Sequence, residues 1–370
     1  MKILLITNEV STRNGWATVA LALAEGLSES HRVTVLSERG DEANPGLDLI
    51  SSMGLRTPLA LRRDTLEIER RLGNEDFDVI LCAVETHLPL AARLKRRLRV
   101  SRLVLLGHGT YIYYPFVCGA WCRFNRWTAR AVDCLVVPSR FTAEKVRAWY
   151  RGALEVIPWG VDSKAYRPIM GGKKEAAFLF VGAQKPRKGV DDLLEGFARL
   201  AGEHPEARLY LVGQMSERYE RRLVELGIDS QVIRTGIVSH DELLEYYSRC
   251  LCHVLPSVNT ENAFEGFGLV HLEANACGIP SIGALGTANE EIIEDGVSGL
   301  LCSPNDPDSV YRCMKRIISD ETATRRMFAK SRRHASGYTW HRVIEALESK
   351  VLGVDAAPRR TCEQVRAGAV

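Results

Sequence analysis

The sequence predicts an α/β protein of two domains, each built on a parallel sheet. Short apolar runs alternate with longer amphipathic segments from the first residues onward, which is the pattern of βαβ units. That pattern restarts at 177–182 (AFLFVG), after a polar stretch over 166–175. The chain length, 370 residues, also exceeds what one hydrophobic core usually organises.

In the first half, KILLIT (2–7) reads as a buried first strand rather than a secretory leader, because a polar loop and no small-residue cleavage site follow it. A loop carrying Asn14, Gly15 and Trp16 leads into a helix over 17–30, and RVTVLS (32–37) is the next strand. DVILCAV (78–84) is a further strand, and so is the run from Val100 that ends in His108-Gly109-Thr110. His108 therefore falls just past the carboxyl end of a parallel strand, where such sheets bind ligands. A satisfied structural hydrogen bond is the plainer reading of a lone histidine. Tyr111, Tyr113 and Tyr114 follow as an aromatic patch suited to stacking on sugar rings. DCLVV (133–137) is a strand whose next helix is capped by Ser139 or Thr142. Pro158 and Gly160 mark a turn and Pro168 a linker.

In the second half, the loop AQKPRKG (183–189) leaves the strand at 177–182 and enters a helix over 190–204; ARLYLVG (207–213) is the next strand. Arg187 and Lys188 in that loop fit an anion, Arg as a fork and Lys as a point charge. A solvated basic turn is the commoner explanation of such a pair. A short strand from Gln231 precedes a helix capped by Ser239, with Glu242 placed for a capping box. LCHVLPS (251–257) is the strand before the loop to Gly268, and LVHLEANA (269–276) is a helix ended by Gly278 and Pro280. A glycine-bearing loop feeding a helix gathers unpaired amides and the positive dipole end at one spot, which suits a phosphate or diphosphate. Glu265 precedes that helix and Glu273 lies inside it. Eight helical residues span about 12 Å, so the two carboxylates address different parts of one ligand, unless they serve only the helix dipole. The segment 279–301 adds a strand, a small-residue loop and Glu291; 338–354 is an amphipathic helix, and 356–370 a polar, flexible tail.

The run EGFGLVHLEANACGIP (265–280) resembles the E-x7-E motif of retaining nucleotide-sugar glycosyltransferases of the GT-B fold (glycosyl transferases group 1, family 4-like), and the likeness extends over most of the chain. It implies two Rossmann-like domains facing a central cleft. The acceptor-side domain is 1–168, the donor domain 169–337, and a helix at about 338–355 returns to the first. The resemblance implies that His108, Arg187, Lys188 and Glu265 serve catalysis. It places Gly15, Ile237, Val238, Gly266, Phe267, Gly268, Leu269, Val270, Glu273 and Glu291 against the donor. Two departures stand out: Trp16 where many relatives carry a second glycine, and Ala183 where some carry an arginine. The implied reaction moves a hexosyl group from a UDP- or GDP-linked sugar to a hydroxyl, with retention. The nucleotide sugar is a co-substrate, and neither cofactor nor metal is required. A nucleotide-sugar epimerase, a sugar phosphorylase and a non-catalytic sugar-nucleotide-binding protein are the alternatives on the same architecture.

A net charge of +3 argues against nucleic acid as a partner. No G-x-G-x-x-G follows the first strand, which argues against a dinucleotide oxidoreductase. Ten scattered cysteines fit reduced thiols in a cytoplasmic setting. No apolar stretch reaches the ~20 residues of a membrane span. The cation run Arg93–Arg99 with Arg102, and Trp121, Phe124 and Trp127 beyond it, predicts peripheral contact with an anionic membrane and a lipid-linked or membrane-proximal acceptor. A solvated helix face is the plainer reading of that run.

Overall fold

The computed structural model describes residues 1–12, 14–39, 48–51, 58–73, 75–119, 121–169 and 174–354. The tail expected at 356–370 and most of the Gly-Gly-Lys stretch of the linker lie outside them. Two parallel sheets form the architecture. The first contains β1 (Lys2–Glu9), β2 (Arg32–Arg39), β3 (Asp48–Ser51), β4 (Val79–Cys82), β5 (Arg102–Leu106), β6 (Cys134–Val137) and β7 (Ala153–Val156), in the order β3-β2-β1-β4-β5-β6-β7. The second contains β8 (Ala177–Val181), β9 (Arg208–Val212), β10 (Val232–Gly236), β11 (Cys252–Val254), β12 (Ser281–Ala284) and β13 (Gly299–Cys302), in the order β10-β9-β8-β11-β12-β13. In both sheets the order reverses direction beside the first strand, at β1/β4 and at β8/β11. Such switch points open a crevice at the carboxyl ends of the strands.

Helices flank both sheets. With the first go α1 (Gly15–Ser28), α2 (Pro58–Leu72), α3 (Leu88–Arg97), α4 (Thr110–Val117), α5 (Cys122–Ala129) and α6 (Arg140–Val146). With the second go α7 (Val190–Glu203), α8 (Glu217–Glu225), α9 (His240–Arg249), α10 (Leu269–Ala276), α11 (Pro307–Ser319) and α12 (Glu321–Ala335), and α13 (Trp340–Leu347) follows. Strand residues alternate between the two faces as the pleat requires. In β1, Ile3 and Leu5 join the core that holds Leu23 and Ile344, while Leu4 and Ile6 join the one that holds Leu90 and Phe116. In β8, Phe178 and Phe180 face the core of Phe197 and Met314, and Leu179 faces that of Tyr247 and Cys277.

Two local readings are revised. The apolar run from Val100 is extended only to Leu106, and Tyr111, Tyr113 and Tyr114 belong to helix α4. The turn that makes the switch is Gly109, at φ +124°. The core of the first sheet also includes Phe267, Leu272, Ile292 and Ile293 from the second half, and α13 packs Ile344 beside Gly26 of α1. The two halves thus share apolar surface behind the cleft. Among the described residues no helix is long and apolar enough to cross a membrane.

Candidate active site

Helix α10 starts at Gly268, whose φ of +94° lies in the left-handed region that a side chain would strain, and no side chain caps it. Its first amides therefore point outward without intrahelical partners. The other helix start at the crevice, α1, is different: the Asn14 side chain accepts from the Trp16 and Ala17 amides at 3.1 and 3.0 Å. The two starts face each other, since a Cβ on Gly15 would sit 3.8 Å from Leu269 Cδ1.

Beside the α10 start lies a 3₁₀ turn, Pro186–Lys188, delivered by the end of β8. Arg187 donates to the Glu265 carboxylate, and both side chains are more than four-fifths buried. Burial disfavours ionised Glu265, but Arg187 and Lys188 outweigh it and hold the carboxyl below its usual range. Burial lowers the Lys188 ammonium pKa against the opposing pull of Glu265. The Lys188 Nζ lies so close to Gly182 that a Cβ there would come within 2.5 Å of it. The loop carrying Glu265 is pinned to this turn: the Val258 amide donates to the Arg187 carbonyl at 2.9 Å.

Glu273 faces aromatic hydroxyls. Tyr247 donates to it at 3.5 Å and Tyr166 bonds it as well. Burial pushes its carboxyl up to about 7 despite these donors. Lys188 feels both Glu265 and Glu273, so both carboxylates lie within electrostatic reach of the cation.

The opposite wall comes from the first sheet. The His108 Nε2–H donates to the Ala83 carbonyl at 2.7 Å, and its backbone amide donates to Glu85 at 3.0 Å. Burial lowers the imidazole to about 4, so the ring is neutral with Nδ1 left as an acceptor. Trp16 and Trp159 flank it, with ring centroids 6.5 and 5.6 Å away, and Tyr111 meets Trp16 edge-on at 4.8 Å. The walls touch through backbone. Gly109 bridges to Glu265, and a Cβ on Gly266 would come within 2.5 Å of Gly109 Cα. Ser139 and Thr142 hydroxyls donate to the Gly266 carbonyl at 2.7 and 3.0 Å.

This geometry is matched by the chain's likeness to known proteins. The family model described as "Glycosyl transferases group 1" matches residues 163–335, and that of "Glycosyltransferase Family 4" matches 13–165. The MMP alpha-(1->4)-mannosyltransferase of Mycolicibacterium hassiacum is 30% identical over 288 residues, covering 72% of this chain and 68% of that protein. The chain belongs to this glycosyltransferase family. A GDP-mannose-dependent alpha-(1-6)-phosphatidylinositol monomannoside mannosyltransferase of Mycolicibacterium smegmatis is 25% identical, covering 86% of this chain and 89% of its own. In fold, the glycosyltransferase superposes on sucrose-phosphate synthase of Thermosynechococcus elongatus with a TM-score of 0.78 at 20% identity, both chains fully covered. It superposes on Anabaena HepE, solved with UDP and glucose, with a TM-score of 0.80 at 17% identity, covering 96% of this chain and 100% of that one. The fold is GT-B.

Of the residues singled out from sequence, this glycosyltransferase gathers Gly15, His108, Arg187, Lys188, Glu265, Gly268 and Leu269 around one crevice, with Val270 half-buried in the first turn of α10. The others sit differently. Phe267 is buried in the shared core, and the Gly266 carbonyl faces the first domain. Glu291 was expected beside the donor phosphates; its two carboxylate oxygens instead accept from the Arg140 and Phe141 amides at the start of α6, at 2.9 and 2.7 Å. Ile237 is 86% exposed just past β10 and Val238 packs partly under it. Sequence reading passed over Gly182 and Gly213, which close the ends of β8 and β9. A Cβ on Gly213 would strike the Gly182 carbonyl at 2.5 Å. The signal was present as the repeated Val-Gly at 181–182 and 212–213. It also passed over Tyr166 and Tyr247, whose meeting at Glu273 has no local signature.

Proposed function

We propose that the protein transfers a hexosyl group from a UDP- or GDP-linked sugar to an acceptor hydroxyl with retention of anomeric configuration. The observation that carries this reading is the uncapped α10 start flanked by Arg187 and Lys188, which forms an anion site opposite His108. The diphosphate oxygens accept from the α10 amides and from the two cations. The bond from the anomeric carbon to the diphosphate oxygen breaks, and charge grows on that oxygen where the donors already stand. The acceptor oxygen attacks from the same face, and its proton passes to the departing diphosphate, so no protein nucleophile is needed. Glu265, holding Arg187 at rest, yields the guanidinium to the diphosphate and turns to the sugar. His108 Nδ1 accepts from a sugar hydroxyl and orients it. Glu273 and its tyrosines take the ribose, and Ile237 and Val238 flank the base.

Similar proteins support the donor class: one is GDP-mannose-dependent, and HepE was solved with UDP-glucose. Two cations and a helix start supply the positive charge that a divalent ion provides elsewhere, so the rate is expected to survive EDTA. The acceptor in this reading is a lipid-linked or cell-surface glycan precursor met at the inner face of a membrane, and a phosphatidylinositol monomannoside mannosyltransferase among the relatives supports it. The test is calorimetry with UDP and GDP, followed by a screen of UDP- and GDP-sugars for nucleoside diphosphate release. Binding of neither nucleotide would overturn the reading.

A further inference from the structure

Resting on the membrane-proximal part of that reading, we propose that α5 is the surface by which the protein docks on an anionic lipid bilayer, with Trp121, Phe124 and Trp127 entering the headgroup boundary. Trp121 is 63% exposed, Trp127 55% and Phe124 37%. Their rings line up on one another, each neighbouring pair of centroids 6.1 Å apart. Trp121, the residue before the helix, and Phe124 and Trp127 within it, with Phe124 meeting both, form an apolar ridge exposed among the described residues. Tryptophan favours the membrane–water boundary, where one edge is apolar and the other wet.

The charge beside the ridge names the partner. Arg123, Arg126 and Arg130 are exposed on the same helix or just past it, and the stretch 110–130 contains no Asp or Glu. Among the described residues these three arginines have no acidic partner. An acid-free cationic stripe adjoining an aromatic one matches an anionic interface, where each cation contributes about 1 kcal/mol.

The basic run on α3, from which membrane contact was first expected, is the supporting element rather than the anchor. Lys95 is tied to Asp133 and to the Ala131 carbonyl, and Arg97 makes two bonds to Glu69 at 2.8 and 2.9 Å. Arg96 and Arg99 stay exposed and without an acidic partner among the described residues. The Lys95 bond to Ala131, just past the end of α5, shows that the two elements are neighbours.

The ridge is also fastened to α4, the helix that starts beside the crevice. Asn125 and Arg126 donate to the Pro115 and Phe116 carbonyls of α4 at 2.9 and 2.6 Å. Phe116 stacks on Trp149 at 4.1 Å beneath. Tyr111, on the same helix α4, meets Trp16 beside His108. Docking through α5 therefore brings the acceptor wall to the lipid surface.

The experiment is flotation with vesicles of phosphatidylcholine alone and of phosphatidylcholine with phosphatidylglycerol, at low and high salt. It compares the wild-type protein, the W121A/W127A double variant and the R96E/R99E variant, each checked for native melting. Wild type should float with the anionic vesicles at low salt and be released by salt. W121A/W127A should lose at least about tenfold in affinity, given the apolar area removed, and keep its binding of UDP or GDP. R96E/R99E should weaken binding less. Equal flotation of wild type and W121A/W127A overturns the proposal, as does flotation indifferent to lipid charge. So does a concentration-dependent dimer that W121A/W127A abolishes without any vesicle binding, which would make the ridge's occupant a second copy. Flotation that follows these expectations while neither nucleotide binds leaves the docking surface standing and removes the transfer reading.

Discussion

Lys188 is the point charge of the crevice. In the structure it stands half-buried within electrostatic reach of Glu265 and Glu273, and burial pulls its ammonium pKa downward. A diphosphate would complete its set of partners and favour the charged form. Lys188→Ala should reduce turnover by about 10²–10³-fold, the scale for a lost donor at developing charge, with melting close to wild type. A kcat within a few-fold of wild type would rule out the clamp. The glutamates should separate more cleanly than their motif implies. Glu273→Ala should weaken nucleoside diphosphate binding by about 1–3 kcal/mol, the range for leaving a buried hydrogen-bond partner unsatisfied. Glu265→Ala should leave that binding intact or tighter, because it releases Arg187, and should lower turnover instead. Calorimetry on the two variants decides this, and equal losses would contradict the assignment. The pairing of Arg187 with Glu265 was not legible in the sequence. The residues are 78 positions apart, and in the sequence each is a charge in a separate glycine-bearing loop. Only the β8-to-β11 adjacency brings them together.

The loop from Phe264 to Gly268 belongs by sequence to the second domain, yet it is fastened to the first. Thr110 Oγ1 donates to the Phe264 carbonyl at 2.8 Å, and Gly266 lies backbone to backbone on Gly109. Gly266→Ala forces a Cβ into the Gly109 Cα and the His108 carbonyl, both within 2.5 Å and neither a flexible side chain. We expect a stability loss of about 1–3 kcal/mol, as for other overpacked sites, together with a fall in turnover larger than any change in nucleotide affinity. Chemical unfolding and calorimetry on the same preparation separate the two, and an unchanged kcat would show that the walls need not touch for catalysis. At this scale the strands and the major helices were legible, because buried parallel strands are short continuous apolar runs. The capping box at Ser239 and Glu242 was legible from four residues. Helix α4 was not. Its tyrosines and isoleucine are strand formers by propensity, and packing of Ile112 and Phe116 beneath it overrode that preference. Glu291 misled for another reason: a carboxylate near a small-residue loop reads the same whether it faces a ligand or the α6 amides across the domain boundary.

At the scale of the whole molecule, the chain carries more buried titratable groups than the reaction uses, and they set its pH dependence. Four imidazoles are depressed by burial: His87 and His108 to about 4, His271 to about 3, and His253 well below its ordinary value. His253 and His271 meet ring to ring at 5.1 Å, with none of their four nitrogens bonded. Two carboxyls are raised by burial to about 7, Glu85 and Glu273. The unfolded histidines take up protons below 6.5 while the folded ones do not, so their contribution is lost as pH falls from there toward 4. The carboxyls act in the opposite sense. Folded, they hold protons between 4.5 and 7 that the unfolded chain has released, so their contribution is lost as pH rises through 7. Between 4.5 and 6.5 four imidazoles oppose these two carboxyls and Asp192, which burial raises to about 6; the unfolded state still binds the more protons, so stability climbs with pH. Above 6.5 the unfolded histidines release their last protons while the folded carboxyls release theirs, the two effects nearly cancel, and stability levels off. Unfolding in urea at about pH 5, 6.5 and 8 should therefore become harder from the first value to the second and change little from there to the third. Replacing this edge-on pair, His253→Phe with His271→Phe, should remove the climb on the acid side, since it leaves the raised carboxyls in place. Stability that rises steadily to about pH 8 would mean that Glu85 and Glu273 are ionised in the folded protein, and Glu273 would then meet a ribose as a full anion rather than as a carboxyl shared with Tyr166 and Tyr247.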